Sequence, residues 1–434
     1  MASTYLTKSQ GTGNKEKFTY SAWVKKHSAT AECVLLNSYT NSTNYSKIQI
    51  DSDGRFHFDD YQGSQVGRRS STEKLRDVNA WYHLVAVWDT NNSTADDRMI
   101  LYINGERVSA FDHDSDPSSG ADSFINNNTK TLYIGRKENN NVSADMTLSH
   151  VHFSDGYALA PTVFGSTDST TGEWKINTSP SFTLGTNGFT ILKDGNTITD
   201  QSSNSNNFTL GAGTLTKTED CPSNVFATFN PLHFQAGRAL TMSNGNGKIA
   251  SNQNNWQPIG STLAVPPKTG KWYWEFSQFI EAQTFVGFIS SECNININLP
   301  YQATDGMITY FYAGRLTNNG SETESYFTAI SATTDVVGVA LDMTAGTYGQ
   351  VQFYLNGSAT GSAVALSSAF ANKFVMPFAM CNGTGGRSVS INTGNGYFGS
   401  TQISSAGTNA SGIGIFEHNV PTGYTALSTK GLNL

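Results

Sequence analysis

The chain has 434 residues, a formal charge of −7 and only 14% charged residues. At roughly 100–200 residues per domain, that length predicts two or three domains. The charge balance excludes the dense basic surface that nucleic-acid binding requires, and no apolar run reaches the ~20 residues of a membrane-spanning helix.

Gly, Asn, Ser and Thr outweigh the good helix formers, and 41 Gly stand beside 25 Phe. Short strands joined by many turns need this mixture. The N-terminal residues Met1 to Tyr5 carry no basic-then-apolar leader, so the expected place of synthesis is a reducing cytoplasm. The four cysteines, Cys33, Cys221, Cys293 and Cys381, form no CxxC pair and are widely spaced. They are expected as buried free thiols rather than zinc ligands or a disulfide scaffold.

Phe18, Tyr20, Ala22 and Val24 alternate with Thr19 and Ser21, the period of two that marks a strand, with the Trp23 ring on its other face. A strand at residues 47–50 meets Asp53-Gly54 and returns through Arg55 to Phe58. Residues 79–89 read as a long strand, followed by Met99 to Ile103, then Asn104-Gly105, then Glu106 to Val108. Asn-Gly between apolar strands is the strongest short hairpin signal, because both turn positions need positive φ. Strands at residues 132–136 and 148–153 follow, the second running through Asp155-Gly156 into a short helical turn at residues 158–164.

Residues 166–230 read as a connecting segment. A flexible linker would lack apolar residues, whereas this one holds Trp174, Phe182, Phe189, Ile191, Leu192 and Phe208, so it is expected to pack on the first domain. Beyond it the pattern repeats: strands at 270–276, 284–288 and 335–342, then Val351 to Leu355 meeting Asn356-Gly357, then a late strand at 374–379.

The ordered series "FTYSAWVK", "WYHLVAVWD", "LYINGERV", "LYIGR" and "VHFSDGYALAPTVFG" resembles the laminin-G/pentraxin-like branch of the concanavalin A-like superfamily. The later series "GKWYWEF", "VGFIS", "DVVGVALD" and "FYLNG" resembles a SPRY domain, itself a concanavalin A-like sandwich. The whole chain is similar to laminin-G-plus-SPRY virion-associated proteins of marine bacteriophages. The expected fold is therefore all-β: a laminin-G/pentraxin-like β-sandwich over residues 1–165, a packed connecting segment over 166–230, and a SPRY-like β-sandwich with a C-terminal tail over 231–434.

The resemblance implies a non-enzymatic structural protein on the surface of a bacteriophage particle. One reading is a tail fibre or tail-associated adsorption protein that binds host surface polysaccharide. The alternative is a capsid or tail decoration protein held by contacts with other virion proteins; a homo-oligomer fits either. The domain starts almost at residue 4 and no heptad run exists, which favours attachment through a domain face or the tails. A polysaccharide-degrading enzyme is the third reading and the weakest. Glycoside hydrolysis needs two carboxylates facing one sugar bond, and the nearest match to a one-face acidic triplet is Asp112, Asp114 and Asp116, followed by the loop-forming Pro117 to Gly120. The same three aspartates are the candidate ligands of calcium, the one cofactor the sequence admits. His150 and His152 form a second candidate metal pair without a third ligand.

Most tryptophans lie within strand patterns and read as core. Trp256, in a polar stretch, and Tyr301, after Asn294 to Pro300, fall in loops, where an aromatic face can stack on a sugar or a partner subunit. These two are the candidate ligand-binding residues.

Overall fold

The computed structural model describes every residue except 1–3, 29, 79, 139–140, 142–144, 194–196, 236, 238 and 281–282. Among the described residues there is no α-helix, only single 3-10 turns. The chain divides into two compact units, Met1–Lys217 and Thr218–Leu434. Asn79, expected at the start of a strand, lies outside the described residues, and that strand spans Trp81–Asp89.

The first unit is a β-sandwich. One sheet has eight strands in the order Phe111–Ser115, Gln65–Lys74, Arg55–Gln62, Asn44–Ile50, Cys33–Asn41, Thr131–Ile134, Tyr5–Ser9 and Thr209–Ala212. The other has six: Phe189–Ile191, Met146–Asp155, Lys17–Lys26, Trp81–Asp89, Met99–Ile103 and Glu106–Arg107. The core lies between them and takes the inward residues of both, among them Phe18, Tyr20, Ala22, Val24, Ile48, Phe58, Leu84 and Trp88. The connecting segment adds a strand to each sheet, at Phe189–Ile191 and Thr209–Ala212, and Leu192 and Phe208 enter the core.

The second unit is built the same way. A seven-stranded sheet runs Phe229–Phe234, Gln257–Ser261, Val375–Cys381, Thr284–Ser290, Met307–Phe311, Leu316–Asn318 and Ser321–Thr323. It faces a sheet ordered Leu240–Ser243, Lys248–Ser251, Arg387–Asn392, Lys271–Ser277, Val337–Asp342, Gln350–Leu355 and Ser358–Ala365 across a core containing Trp274, Phe276, Phe288, Val339 and Phe353. Residues 218–230, read from the sequence as part of the connector, belong here. Phe229 enters the main core, and Phe226 packs with Tyr273, Ala340 and Phe416 in a smaller cluster that the C-terminal segment completes.

The two Asn-Gly hairpins share one device. Asn104 and Gly105 adopt φ 49° and 85°, and Asn356 and Gly357 adopt 49° and 77°. Asn104 donates its backbone N–H to the His83 carbonyl while its side-chain oxygen accepts from His83 N, at 2.8 Å each. Asn356 does the same with Val336, again at 2.8 Å. Asparagine thus supplies both the left-handed backbone and the lock on the preceding strand.

Candidate functional site

Alternation along each strand of the eight-stranded sheet sends one set of side chains into the core and the other to the opposite face. Ile48, Ile50, Phe56, Phe58, Leu36, Leu132, Ile134 and Leu6 go inward. Tyr45, Lys47 and Gln49 therefore face outward from one strand, and His57, Asp59 and Tyr61 from the next. Asn37 and Tyr39, Tyr133, and Tyr5 complete the same outer face from three further strands.

Register then places five tyrosines in a row. Tyr5 and Tyr133 lie with ring centroids 6.3 Å apart, Tyr133 and Tyr39 5.0 Å apart, and Tyr45 and Tyr61 6.0 Å apart. Tyr39 and Tyr45 are direct cross-strand partners and close the gap between the two groups. All five are half-buried, so each ring keeps an open part. The Arg136 guanidinium sits over Tyr5 at 4.7 Å and over Tyr133 at 5.3 Å, and donates to the Tyr5 hydroxyl.

Beside the tyrosines runs a polar line in cross-strand register: Tyr133, Asn37, Lys47, Asp59, Arg68. Lys47 donates to both oxygens of Glu138 at 3.0 Å. Asp59 accepts from the Tyr45 hydroxyl at 2.8 Å and from Gln65 Nε2 at 2.7 Å. Burial pushes the Asp59 carboxyl up, but these donors and the nearby His57 outweigh it and hold the group below its usual range. The Tyr45 hydroxyl is pushed up, first by burial and then by Asp59, so it remains a donor. Asp60, the next residue, points inward, accepts from Ser46 and Gln62, and is raised by burial to about 6. The two adjacent carboxylates thus serve opposite faces of the sheet and do not form a pair.

This outer face holds buried polar atoms without hydrogen-bond partners: Asn37 Oδ1, Gln49 Oε1, His57 Nε2 and Arg68 Nε. Asn37 is 0% exposed, Gln49 4% and His57 5%. Most buried polar atoms of a folded protein are paired, and these four lie together on one outward sheet face beside the tyrosines.

The residues singled out from the sequence lie elsewhere. Asp112 and Asp114 belong to the edge strand Phe111–Ser115, not to a loop, and Asp116 follows it. Arg69, 1% exposed, fills the space between the acids: its Nε donates to Asp114 at 3.0 Å, and its Nη2 to Asp116 at 2.7 Å and Asp96 at 2.6 Å. Asp112 pairs instead with Arg55 at 3.3 Å. Asp114 and Asp116 therefore join Asp96 in a cluster bridged by Arg69, with Asp112 paired apart, and among the described residues no group of three acidic, His or Cys side chains is arranged to hold a metal. The expected His150/His152 pair is interrupted by an irregularity in the strand pairing between Ser149 and His152, with His150 at φ 49°. His152 Nδ1 meets Thr190 Oγ1 at 2.9 Å and its ring stacks on Phe164 at 5.4 Å, so it is a packed core histidine.

Trp256 is half-buried and packs edge-on against Phe285, 4.9 Å away, so much of its ring is committed to the second unit. Tyr301 is 42% exposed on the 3-10 turn Pro300–Gln302. Cys33, Cys293 and Cys381 are buried free thiols; Cys221, expected to be buried too, is half-buried. The tyrosine row escaped the sequence reading because the strands Tyr5–Ser9 and Cys33–Asn41 were not recognised and the strands read at 47–50 and 55–58 stopped short of Tyr45 and Tyr61. Its only signal was tyrosines at the polar phase of each alternation, visible once neighbouring strands are aligned.

Comparison with known proteins agrees with this architecture. Residues 2–163 match a laminin G-type profile of the concanavalin A-like lectin/glucanases superfamily, and residues 271–396 match the SPRY domain. The chain therefore carries a concanavalin A-like domain followed by a SPRY domain. Among solved structures, it is similar to the SPRY domain of human HERC1, at 20% identity over 38% of this chain and 96% of that one, with a TM-score of 0.31. A second human SPRY domain is 14% identical over 36% of this chain and 95% of that one, TM-score 0.29. A heptameric SAP-like pentraxin from Limulus polyphemus is 18% identical over 36% of this chain and 71% of that one, TM-score 0.26. No curated protein matches the chain.

Proposed function

We propose that this chain is a non-enzymatic recognition protein that binds a saccharide on the tyrosine-lined outer face of its first unit. The observation that carries the reading is the row of five half-buried tyrosines beside buried, unpaired polar atoms. Open aromatic rings stack on the apolar faces of sugar rings, while a few fixed polar groups read the hydroxyls. The carboxylates of this face are engaged by fixed donors, which suits binding better than acid–base turnover. The laminin-G-plus-SPRY series in the sequence supports a place on the surface of a bacteriophage particle, with host adsorption as the role.

The test is binding of the purified full chain to host cells and to their extracted polysaccharide. Replacing Tyr133 and Tyr45 together by Ala should abolish retention while the circular dichroism spectrum stays native. Undiminished retention by the double variant would move the site elsewhere. A decoration protein held by virion proteins is the second reading, favoured by Leu232, 83% exposed on the edge strand Phe229–Phe234. Locating the protein on purified particles by antibody labelling separates tail from capsid.

A further inference from the structure

Arg68 stands apart from the other charges of the polar line. Lys47 has Glu138, Asp59 has Tyr45 and Gln65, and Arg136 lies over two tyrosine rings. Arg68 faces outward opposite Asp59, yet among the described residues it makes no hydrogen bond or ion pair, and its Nε is buried without a partner. His57 sits two residues along the neighbouring strand, a diagonal contact within reach of long side chains. Its Nε2 has no hydrogen-bond partner and lies 3.7 Å from a carboxylate oxygen of Asp59, an ion pair whenever the ring is protonated. Next to it on the other side, Gln49 Oε1 is a free acceptor, and Asn37 Oδ1 is another nearer the tyrosines.

We propose that the saccharide of this site is an acidic one, whose carboxylate is held by the fork of Arg68. This rests on the saccharide reading given above and adds the chemical class. A planar carboxylate matches a guanidinium with two parallel hydrogen bonds. The half-buried tyrosines suit the ring faces. A neutral sugar would leave the guanidinium unpaired. A uniformly anionic polymer would meet Asp59 and Glu138 on the same face and a chain of net charge −7. Asp59, opposite Arg68, accepts instead from Tyr45 and Gln65.

The experiment measures affinity of the full chain on an array of acidic, sulfated and neutral polysaccharides, and on the carboxyl-reduced form of each acidic one that binds. Bound glycans should be carboxylated, and reduction should weaken binding by about tenfold or more, as loss of a charge-assisted pair does. Arg68→Gln should bring the two affinities together, and Arg68→Lys should restore part of the difference, with near-ultraviolet circular dichroism confirming the fold of both. Equal binding of acidic and reduced forms, preference for sulfated glycans alone, or an Arg68→Gln variant that keeps the preference would each overturn the acidic assignment while leaving a saccharide site. If the folded chain binds no saccharide at all, both readings fall.

Discussion

Trp174 Nε1 donates a 3.0 Å hydrogen bond to His83 Nδ1, and the two rings stack with centroids 5.9 Å apart. Trp23 stacks on the other side of the imidazole at 5.0 Å. Because Nδ1 accepts, Nε2 carries the proton and donates to Ser21 Oγ, 2.9 Å away. The hairpin of Gly165–Thr167 and Trp174–Ile176 is thereby fastened to the outward side of the six-stranded sheet. Both glycines under the ring are required: a Cβ on Gly105 would lie 2.5 Å from Trp174, and one on Gly165 2.7 Å.

Trp174→Ala should destabilise the first unit by about 2–4 kcal/mol, from lost packing plus a buried imidazole nitrogen left without its donor. Trp174→Phe keeps the stacking and should cost about half as much. Chemical denaturation gives the magnitudes. Limited proteolysis should cut near residues 166–180 faster in the Ala variant, and an unchanged cleavage pattern would show that the hairpin is held by something else.

The two units should differ in their response to acid. Burial lowers His83 and His152 to about 3, so the unfolded chain takes up two protons below about 6.5 that the folded chain refuses. That part of the stability is complete above about 6.5 and is lost as pH falls towards 3. Asp60, raised by burial to about 6, opposes this with one proton between its folded and unfolded values. Two minus one leaves a net of one proton, a slope of about 1.4 kcal/mol per pH unit against the first unit between roughly pH 4 and 6. In the second unit burial raises Glu275 to about 7, which adds stability as pH falls from about 7 to 4.5, while burial lowers His233 and His418, which take stability away over the same fall. Scanning calorimetry from pH 7 to 5 should show the transition of the first unit falling more steeply than that of the second. A second-unit transition that falls as steeply as the first would contradict the assignment.

Much of the fold was legible because several core strands of both units are amphipathic with period two and lead into Asn-Gly or Asp-Gly corners. Phe18, Tyr20, Ala22 and Val24 all enter the core, as their spacing predicts. The candidate site was not legible in the same way. Tyr5, Tyr39, Tyr45, Tyr61 and Tyr133 are far apart in the chain, and only strand order and register make them a row. The Asp112–Asp116 run misled for the complementary reason: local acidity suggests a cation site, but Arg69, more than forty residues earlier, already supplies the positive charge.

Glu275 also predicts how the C-terminal segment is held. Its buried carboxylate accepts the backbone N–H groups of Glu417 and His418 at 2.9 Å each, the Tyr273 hydroxyl at 3.1 Å and Asn392 Nδ2 at 3.3 Å. Four donors require an acceptor at both oxygens. Glu275→Gln turns one of them into a donor facing donors and should cost about 1–3 kcal/mol above pH 7, and less at pH 5, where the protonated carboxyl already places an O–H there. Amide exchange at residues 417 and 418 should accelerate at least tenfold while strand Val375–Cys381 stays protected; equal loosening of both would indicate general unfolding.

Arg69 decides whether calcium matters to the first unit. Its guanidinium joins Asp96, Asp114 and Asp116, and donates to the carbonyl of Met99, so the acids are compensated without a metal. Millimolar calcium or a chelator should therefore leave the melting temperature of the wild-type unit unchanged. Arg69→Met removes the bridging charge and leaves three carboxylates close together, a loss of about 1–2 kcal/mol because these acids are largely solvated. Calcium should then recover part of that loss in the variant, because oxygen ligands without a counter-charge are what the ion binds. Thermal melts of both proteins, with and without the ion, check the pair of outcomes. A wild-type melting temperature that rises with calcium would show that the arginine does not neutralise the cluster.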